Sequence, residues 1–417
     1  MNRILDGMRV VESSAFVAVP LAGMTLAQMG AEVIRIDRLE GGLDATRLPL
    51  TPSGDSLFWA GLNKGKKSIA VDMRTPEGRD LITQLITAPG KDAGMFMTNL
   101  RVPGFTDYKT LSAQRPDLIM ATLTGDRNGN PQVDYTVNPA LGIPAMTGPE
   151  GYDEPVAHAL PCWDLMAGHQ MVSNLLAAER HRLRKGSGQE VVMSLKDVAA
   201  ATIGHLGMIG DAVINDNDRS KSGNALYGAY GQDFVCADGQ RVMVIGLTDG
   251  QWKGLLNVTG TVEAMAKLGR RMGRDMNEEG TRWDLRHQIT AILAPWFAAR
   301  RVEEFAPEFE TRGLTWSVFR TVKEAVQKDP DLSEANQMFS VIDQPGVGRF
   351  PVPGYPAEFG SHGRCRPVPA PRLGEHTEEI LGDVIRLSDG EIGQLFDKGV
   401  VRGMDLSKHS SACRSAA

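Results

Sequence analysis

Cysteine is scarce: Cys162, Cys236, Cys365 and Cys413 are the only four in 417 residues, and none forms a Cys-x-x-Cys pair. That leaves no disulfide framework and no structural zinc site, and it points to a reducing compartment, so the expected location is cytoplasmic. The eight histidines are scattered. With no His-Glu-x-x-His and no Gly-x-Ser-x-Gly, zinc-hydrolase and serine-hydrolase chemistry lack their residues, and His158 and His169 read as packing or surface residues. Positive charge is short too, with Lys and Arg 45 against Asp and Glu 51 and a formal net charge of −6. No global basic field exists to hold nucleic acid or an anionic membrane, so any anionic ligand must be met by a local patch. Long apolar runs are missing. The longest uncharged stretch, Ser13 to Ala31, holds Pro20, Gly23 and Gln28 and reads as a buried strand, turn and helix rather than a membrane span or signal. Cys413 lies fifth from the end of the sequence, so no prenylation box is expected.

What is present is an alternation of short apolar runs with helical patterns, the signature of βαβ units and a mostly parallel sheet. Met8–Val11, Glu32–Ile36, Lys67–Val71, Met95–Thr98, Leu118–Leu123 and Glu190–Leu195 read as strands. Thr75-Pro76 opens a helix through about Ile86, and a long helix runs from near Leu165 to Lys185, stopped by Gly186. Gly125 to Tyr152 reads as a long polar loop, of the kind that is usually functional. Composition changes at Asn215–Ser222, where a second domain is expected to begin. Its opening hairpin pairs Phe234–Ala237 with Arg241–Ile245 around Asp238-Gly239, and mainly helical sequence follows. Gln344 to Pro371 reads as an extended return, Ser388–Glu391 as a capping box, and the tail after Val401 as frayed. The expected division is 1–214, 215–318 and 319–417.

Two familiar loops fail. The first β–α turn reads Ser13-Ser14-Ala15-Phe16-Val17-Ala18, without the glycines of a dinucleotide loop. Gly61 to Ser68 mimics a phosphate loop but is one residue short and precedes a strand. Three constellations remain. Lys64, Lys66, Lys67, Arg35, Arg38 and Arg47 form either a solvated face or an anion patch near the carboxyl ends of the sheet. Asp164, in Trp163-Asp164-Leu165 before the long helix, is either a plain N-cap or a nucleophile that the positive helix end keeps ionised. Ser222 to Gln232 is a glycine-aromatic linker or a mobile lid.

Arg9 to Glu12 leading to Gly30–Ile36, then Asn63–Asp72, Asn99 with Pro103-Gly104, Asp164 before its helix, and Leu373–Thr377 together resemble the family III CoA-transferases over nearly the whole chain. The segments SLFWAGLNKGKKSIAVD, GNALYGAYGQDF and APRLGEHTEEIL narrow the likeness to members that move CoA between two carboxylates, C1 and C4, of one dicarboxylate. The resemblance implies an α/β fold: a Rossmann-like large domain built from both termini, a smaller inserted α+β domain, and an interlocked-ring homodimer. It implies an acyl-CoA substrate and a second copy as partners, no nucleic acid or membrane, and no cofactor beyond the CoA that enters with the substrate. It makes Asp164 the nucleophile, places Arg38, Asn63, Lys66, Asn99 and Arg101 at the CoA site, and leaves Val17, Tyr135, Tyr227 and Gln232 as candidates for the acyl pocket. Val17 stands where other members carry a glutamine, and Val102 interrupts the usual spacing after Arg101. Three alternatives stay open: transfer to a free external acid, an α-methylacyl-CoA racemase, and a non-catalytic acyl-CoA binding protein. Against the racemase, Val133 occupies the place of its catalytic histidine, just before Asp134.

Overall fold

A computed structural model describes residues 3–404. The chain divides into two compact units: one takes residues up to Leu141, Ala159–Asn215 and everything from Asp329, the other Gly142–His158 and Asp216–Lys328. Residues 142–158 therefore join the second unit rather than the first, and the second crossing falls at 328 rather than the expected 318.

The first unit is built on a seven-stranded sheet: β1 (Arg9–Ser13), β2 (Glu32–Asp37), β3 (Lys67–Val71), β4 (Met95–Thr98), β5 (Ile119–Thr124), β6 (Gln189–Ser194) and, closing one edge, β12 (Val401–Arg402). The order is β12-β3-β2-β1-β4-β5-β6, and every neighbour is parallel except β12, which pairs antiparallel with β3. The interior strands are nearly continuous apolar runs because helices cover both faces. The expected strands all form, within one or two residues of their ends. Thr75 Oγ1 accepts the Gly78 N–H at 3.0 Å to start the helix Pro76–Thr87, and Ser388 and Glu391 form their box.

The differences have tertiary causes. The expected loop 125–152 contains the helices Asp134–Ala140 and Ile143–Met146, the first anchored by buried Val137. The long helix begins at Cys162, which puts Asp164 inside its first turn. The expected return carries β11 (Gly348–Pro353), hairpinned to β10 (Phe339–Gln344). The tail is not frayed at Val401, because Val401 is buried against Val71 and the Arg402 carbonyl accepts the Thr377 hydroxyl at 2.7 Å. Residues past 404, Cys413 included, lie outside the described residues.

The second unit contains an antiparallel sheet, β7 (Tyr230–Val235), β8 (Arg241–Gly246) and β9 (Thr315–Val318), in that order. Gly239, at φ +76°, makes the hairpin turn. β7 starts four residues before the expected Phe234 because Tyr230 is buried, its hydroxyl 3.0 Å from Thr290 Oγ1, so the glycine-aromatic loop is shorter than its sequence suggests. Phe234 stacks on Phe297 at 4.2 Å inside a core of Trp252, Phe305 and Phe309. Among the described residues no single helix is long and apolar enough to cross a membrane.

One buried charge network ties β1, β2 and β3. Arg35 is 1% exposed; its Nε donates to Asp37 at 2.8 Å, Nη2 to Asp44 at 2.9 Å, and Nη1 to Asn63 at 3.1 Å and Ser14 Oγ at 3.2 Å. Glu12 Oε1 stands 3.5 Å from Nη1 and also accepts from Lys66 Nζ at 2.8 Å. The helix Ala18–Gln28 lies directly on this cluster at Gly23, where a Cβ would sit 1.7 Å from Glu12 Oε2. Removing the guanidinium leaves Asp37 and Asp44 buried without their cation and Glu12 with Lys66 alone, a situation that costs roughly 3–5 kcal/mol. Arg35→Met is therefore expected to lower unfolding free energy by about that amount in urea titrations monitored by circular dichroism.

Candidate active site

The strand order reverses between β1 and β4, and the crevice beyond the carboxyl ends of two such strands is where open α/β sheets bind ligands. The turn leaving β1 at that point is held by side chains. Arg35 Nη2 donates to the Ser14 carbonyl at 3.3 Å. Asn99, just past β4, clasps Ala15 from both sides: its Oδ1 accepts the Ala15 N–H at 3.0 Å and its Nδ2 donates to the Ala15 carbonyl at 2.9 Å. Asp44 Oδ1 accepts the Phe16 N–H at 3.3 Å. Phe16 itself is left-handed, at φ +68°, a strained conformation for a side chain of its kind. Val17, 8% exposed, then caps the helix Ala18–Gln28 with no side-chain hydrogen bond.

The long helix Cys162–Lys185 packs on this helix at Gly168, where a Cβ would come within 2.7 Å of the Ala18 carbonyl oxygen. That close approach brings the starts of the two helices together, and Asp164 lies one turn before it. Asp164 is not the cap of its helix. The capping acceptor is Asp134, on the neighbouring helix Asp134–Ala140: its Oδ2 takes the N–H of Trp163 at 2.7 Å and that of Asp164 at 3.3 Å. Asn138, one turn along the same face, accepts the Trp163 indole N–H at 3.1 Å. The Asp164 carboxylate is half-buried and makes no hydrogen bond among the described residues. Burial, and then the Asp134 charge beside it, push its carboxyl up to about 6. Both causes act against the ionised form that a helix start alone would favour. At neutral pH the group is still mostly a carboxylate.

The other residues singled out in the sequence fall into three places. Arg38 and Arg101 are exposed on the loops after β2 and β4, and Arg47 lies over the Phe16 and Phe58 rings at 5.4 and 5.2 Å. Lys66 and Asn63, expected to face CoA, instead point inward. Lys66 Nζ is shared among Glu12, the Pro20 carbonyl at 2.8 Å and Asn63 Oδ1 at 3.0 Å, and burial pushes it down to about 8. Asn99 likewise spends its amide on Ala15. Tyr135 is 55% exposed on the helix that carries Asp134. Tyr227 and Gln232 belong to the second unit, where Tyr227 packs 4.9 Å from Trp283 and Gln232 lines a cavity of about 600 Å³ with Thr147, Glu150, Asn224 and His287. Among the described residues no three His, Cys, Asp or Glu side chains gather as metal ligands.

Sequence reasoning missed Asp44 and the roles of Asp134 and Asn138. Asp134 and Asn138 are spaced i, i+4 like a helix face, but the glycine- and proline-rich stretch around them reads as a loop.

Residues 5–377 match the sequence profile of CoA-transferase family III. The chain belongs to that family. It is 55% identical to the 2-methylfumaryl-CoA isomerase of Chloroflexus aurantiacus over 97% of this chain and 99% of the relative. It is 30% identical to the succinate–glutarate CoA-transferase of Agrobacterium fabrum, covering 91% of this chain and 95% of that one. Among solved structures, a CaiB/BaiF family protein from Brucella suis aligns with a TM-score of 0.74 at 26% identity, over 92% of this chain and all of that one.

The double clasp by Asn99 is open to a direct check. Asn99→Asp keeps an acceptor for the Ala15 N–H but sets a carboxylate against the Ala15 carbonyl. It is expected to cost about 1–3 kcal/mol of unfolding free energy in denaturant titrations.

Proposed function

We propose that this chain moves CoA within a single substrate, converting 2-methylfumaryl-CoA with its thioester on C1 to the isomer with its thioester on C4. The observation that carries this reading is the 55% identity, over 97% of the chain, with the Chloroflexus isomerase.

On this reading Asp164 is the nucleophile. A carboxylate oxygen of Asp164 attacks the C1 carbonyl, the carbon–sulfur bond breaks, and CoA thiolate leaves with the electron pair, giving a mixed anhydride. The thiolate then attacks the Asp164 carbonyl, forming an aspartyl-CoA thioester and releasing 2-methylfumarate within the site. The C4 carboxylate attacks that thioester, thiolate leaves again, and its attack on C4 of the new anhydride restores Asp164. Covalent catalysis splits into feasible steps an exchange that a thioester does not readily make with an unactivated carboxylate.

Arg38, Arg47 and Arg101 are exposed cations open to CoA phosphates, while Asn63, Lys66 and Asn99 act from behind by shaping the turn. Val17 and Tyr135 flank the acyl end. The working unit is an interlocked homodimer in the cytoplasm. Support for a second copy comes from Leu206, Ile209, Val213 and Ile214, all exposed on or beside consecutive short helices, since an apolar patch of this kind marks an interaction surface.

A second reading, transfer to an external acid, draws on the Agrobacterium relative and on the succinyl-CoA:mesaconate CoA-transferase of Haloarcula hispanica, 27% identical over 91% of this chain. Incubation of the C1 thioester with excess isotope-labelled 2-methylfumarate separates the two. The C4 product is expected unlabelled by mass spectrometry, and label in it would establish an open acceptor site. Asp164→Ala is expected to abolish isomerisation by several orders of magnitude. The native pH profile should fall about tenfold per unit below about 6, because the attacking group must be deprotonated and burial with Asp134 sets that value. Val17→Gln is expected to admit labelled acid, since a polar side chain there offers a carboxylate a hydrogen bond.

A further inference from the structure

The cap of the long helix comes from outside it. Pro161, which precedes its first turn, offers no side-chain acceptor, and the first free amides, those of Trp163 and Asp164, both go to Asp134 Oδ2. Asp134 is 1% exposed, as is Asn138, and the two hold Trp163 by its backbone and its indole, so the helix start is pinned from one face. We infer that Asp134 is the positioning residue for Asp164: it takes over the helix cap, leaving the Asp164 carboxylate uncommitted, and its charge favours the acylated form of Asp164 over the free carboxylate. The inference rests on Asp164 being the nucleophile.

An acid in the first turn of a helix ordinarily turns its carboxylate back onto the free amides, which stabilises it and blunts it. Here those amides are already taken. When Asp164 attacks the thioester carbonyl, the new carbon–oxygen bond and the broken carbon–sulfur bond move one negative charge from Asp164 to the departing thiolate. Repulsion from Asp134 is relieved as that happens, and again in the neutral aspartyl-CoA thioester. An interaction that is worse in the free carboxylate than in the transition state accelerates the step. Asp134 is the charged group that presses on Asp164. The helix Ala18–Gln28, packed on the same end, carries no titratable side chain. Other ionisable side chains on the elements packed against this end include the Cys162 thiol, itself pushed up by burial and then by Asp134, and Lys196 and Asp197 at the start of the helix Leu195–His205. None of these is hydrogen-bonded to Asp164.

The test separates cap from charge. Asp134→Asn keeps an oxygen for both amides and removes the charge, whereas Asp134→Ala removes both. For Asp134→Asn the acid limb of kcat is expected to move down by about one pH unit, with KM within about twofold. The fraction of enzyme that hydroxylamine traps at Asp164 during turnover should fall several-fold. Asp134→Ala should lose activity further. A native acid limb and a native trapped fraction in Asp134→Asn would overturn the inference and leave a plain cap.

A readout without turnover covers the case in which the variants fold poorly. Because the folded Asp164 carboxyl sits above its ordinary value, the native protein loses stability as pH rises from 3.8 through about 6. Asp164→Asn is therefore expected to melt higher than native above that window and not below it, and Asp134→Asn should shrink the difference. A difference untouched by Asp134→Asn, or no difference at all, overturns the inference. Failure of the nucleophile reading shows separately, as turnover surviving in Asp164→Ala.

Discussion

The guanidinium of Arg35 is the interaction on which the rest of the first unit depends. Three carboxylates, from β1, from β2 and from the loop after β2, converge on it. Without a cation at their centre these strand ends could not meet in a water-free space. Arginine suits the task better than lysine because its planar fork serves several acceptors at once and its proton is not given up on burial. Burial opposes the charge, but Asp37, Glu12 and Asp44 outweigh it and hold the group more firmly protonated than usual. Replacing such a cluster with apolar side chains can leave a protein as stable, so its value here is in specification. Its reach to the Ser14 carbonyl, and that of Asp44 to the Phe16 amide, hold a strained turn that apolar packing would not define.

That turn is where sheet and site meet. β1 and β4 part on either side of it, and Asn99 from the β4 side closes it. Two glycines then set how closely its neighbours stack: Gly23 lets the helix Ala18–Gln28 settle on Glu12, and Gly168 lets the long helix settle on Ala18. Each contact leaves no room for a Cβ. The position of Asp164 is thus inherited through rigid steps from the buried charges, with no loop of free conformation in between.

Much of this was legible in the sequence, for reasons that differ by element. The parallel strands announce themselves because burial on both faces demands apolar runs, and Thr75-Pro76, Asp238-Gly239 and Ser388–Glu391 announce turns and caps because their side chains act locally. The helix Asp134–Ala140 was hidden because it is short, contains Pro139 and Asn138, and is stabilised by what it packs against. Lys66 and Asn63 were misread for a related reason: a run of cations gives charge but not direction, and the cluster's carboxylates lie on other strands. Asp164 was legible as a residue at a helix start. Its proton affinity was not, since the helix dipole is visible in sequence and a carboxylate thirty residues upstream is not.

The raised proton affinity has a consequence for the route itself. In exchange between a thioester and a carboxylate, the more basic carboxylate makes the more stable acyl compound. A surface aspartate, more acidic than most substrate carboxylates, would form a thioester too reactive to accumulate. On the proposed route, burial and Asp134 raise Asp164 to about 6, above the range of ordinary carboxyls, which would bring its thioester closer in energy to substrate and product. An isomerisation needs that balance, because its two ends are thioesters of the same acid and neither offers a driving force. The cost is borne in the free enzyme, as one unfavourable pair of charges at the start of a helix. A fold with a rigid buried network beneath can hold such a pair in place, whereas a flexible loop would relax to separate them.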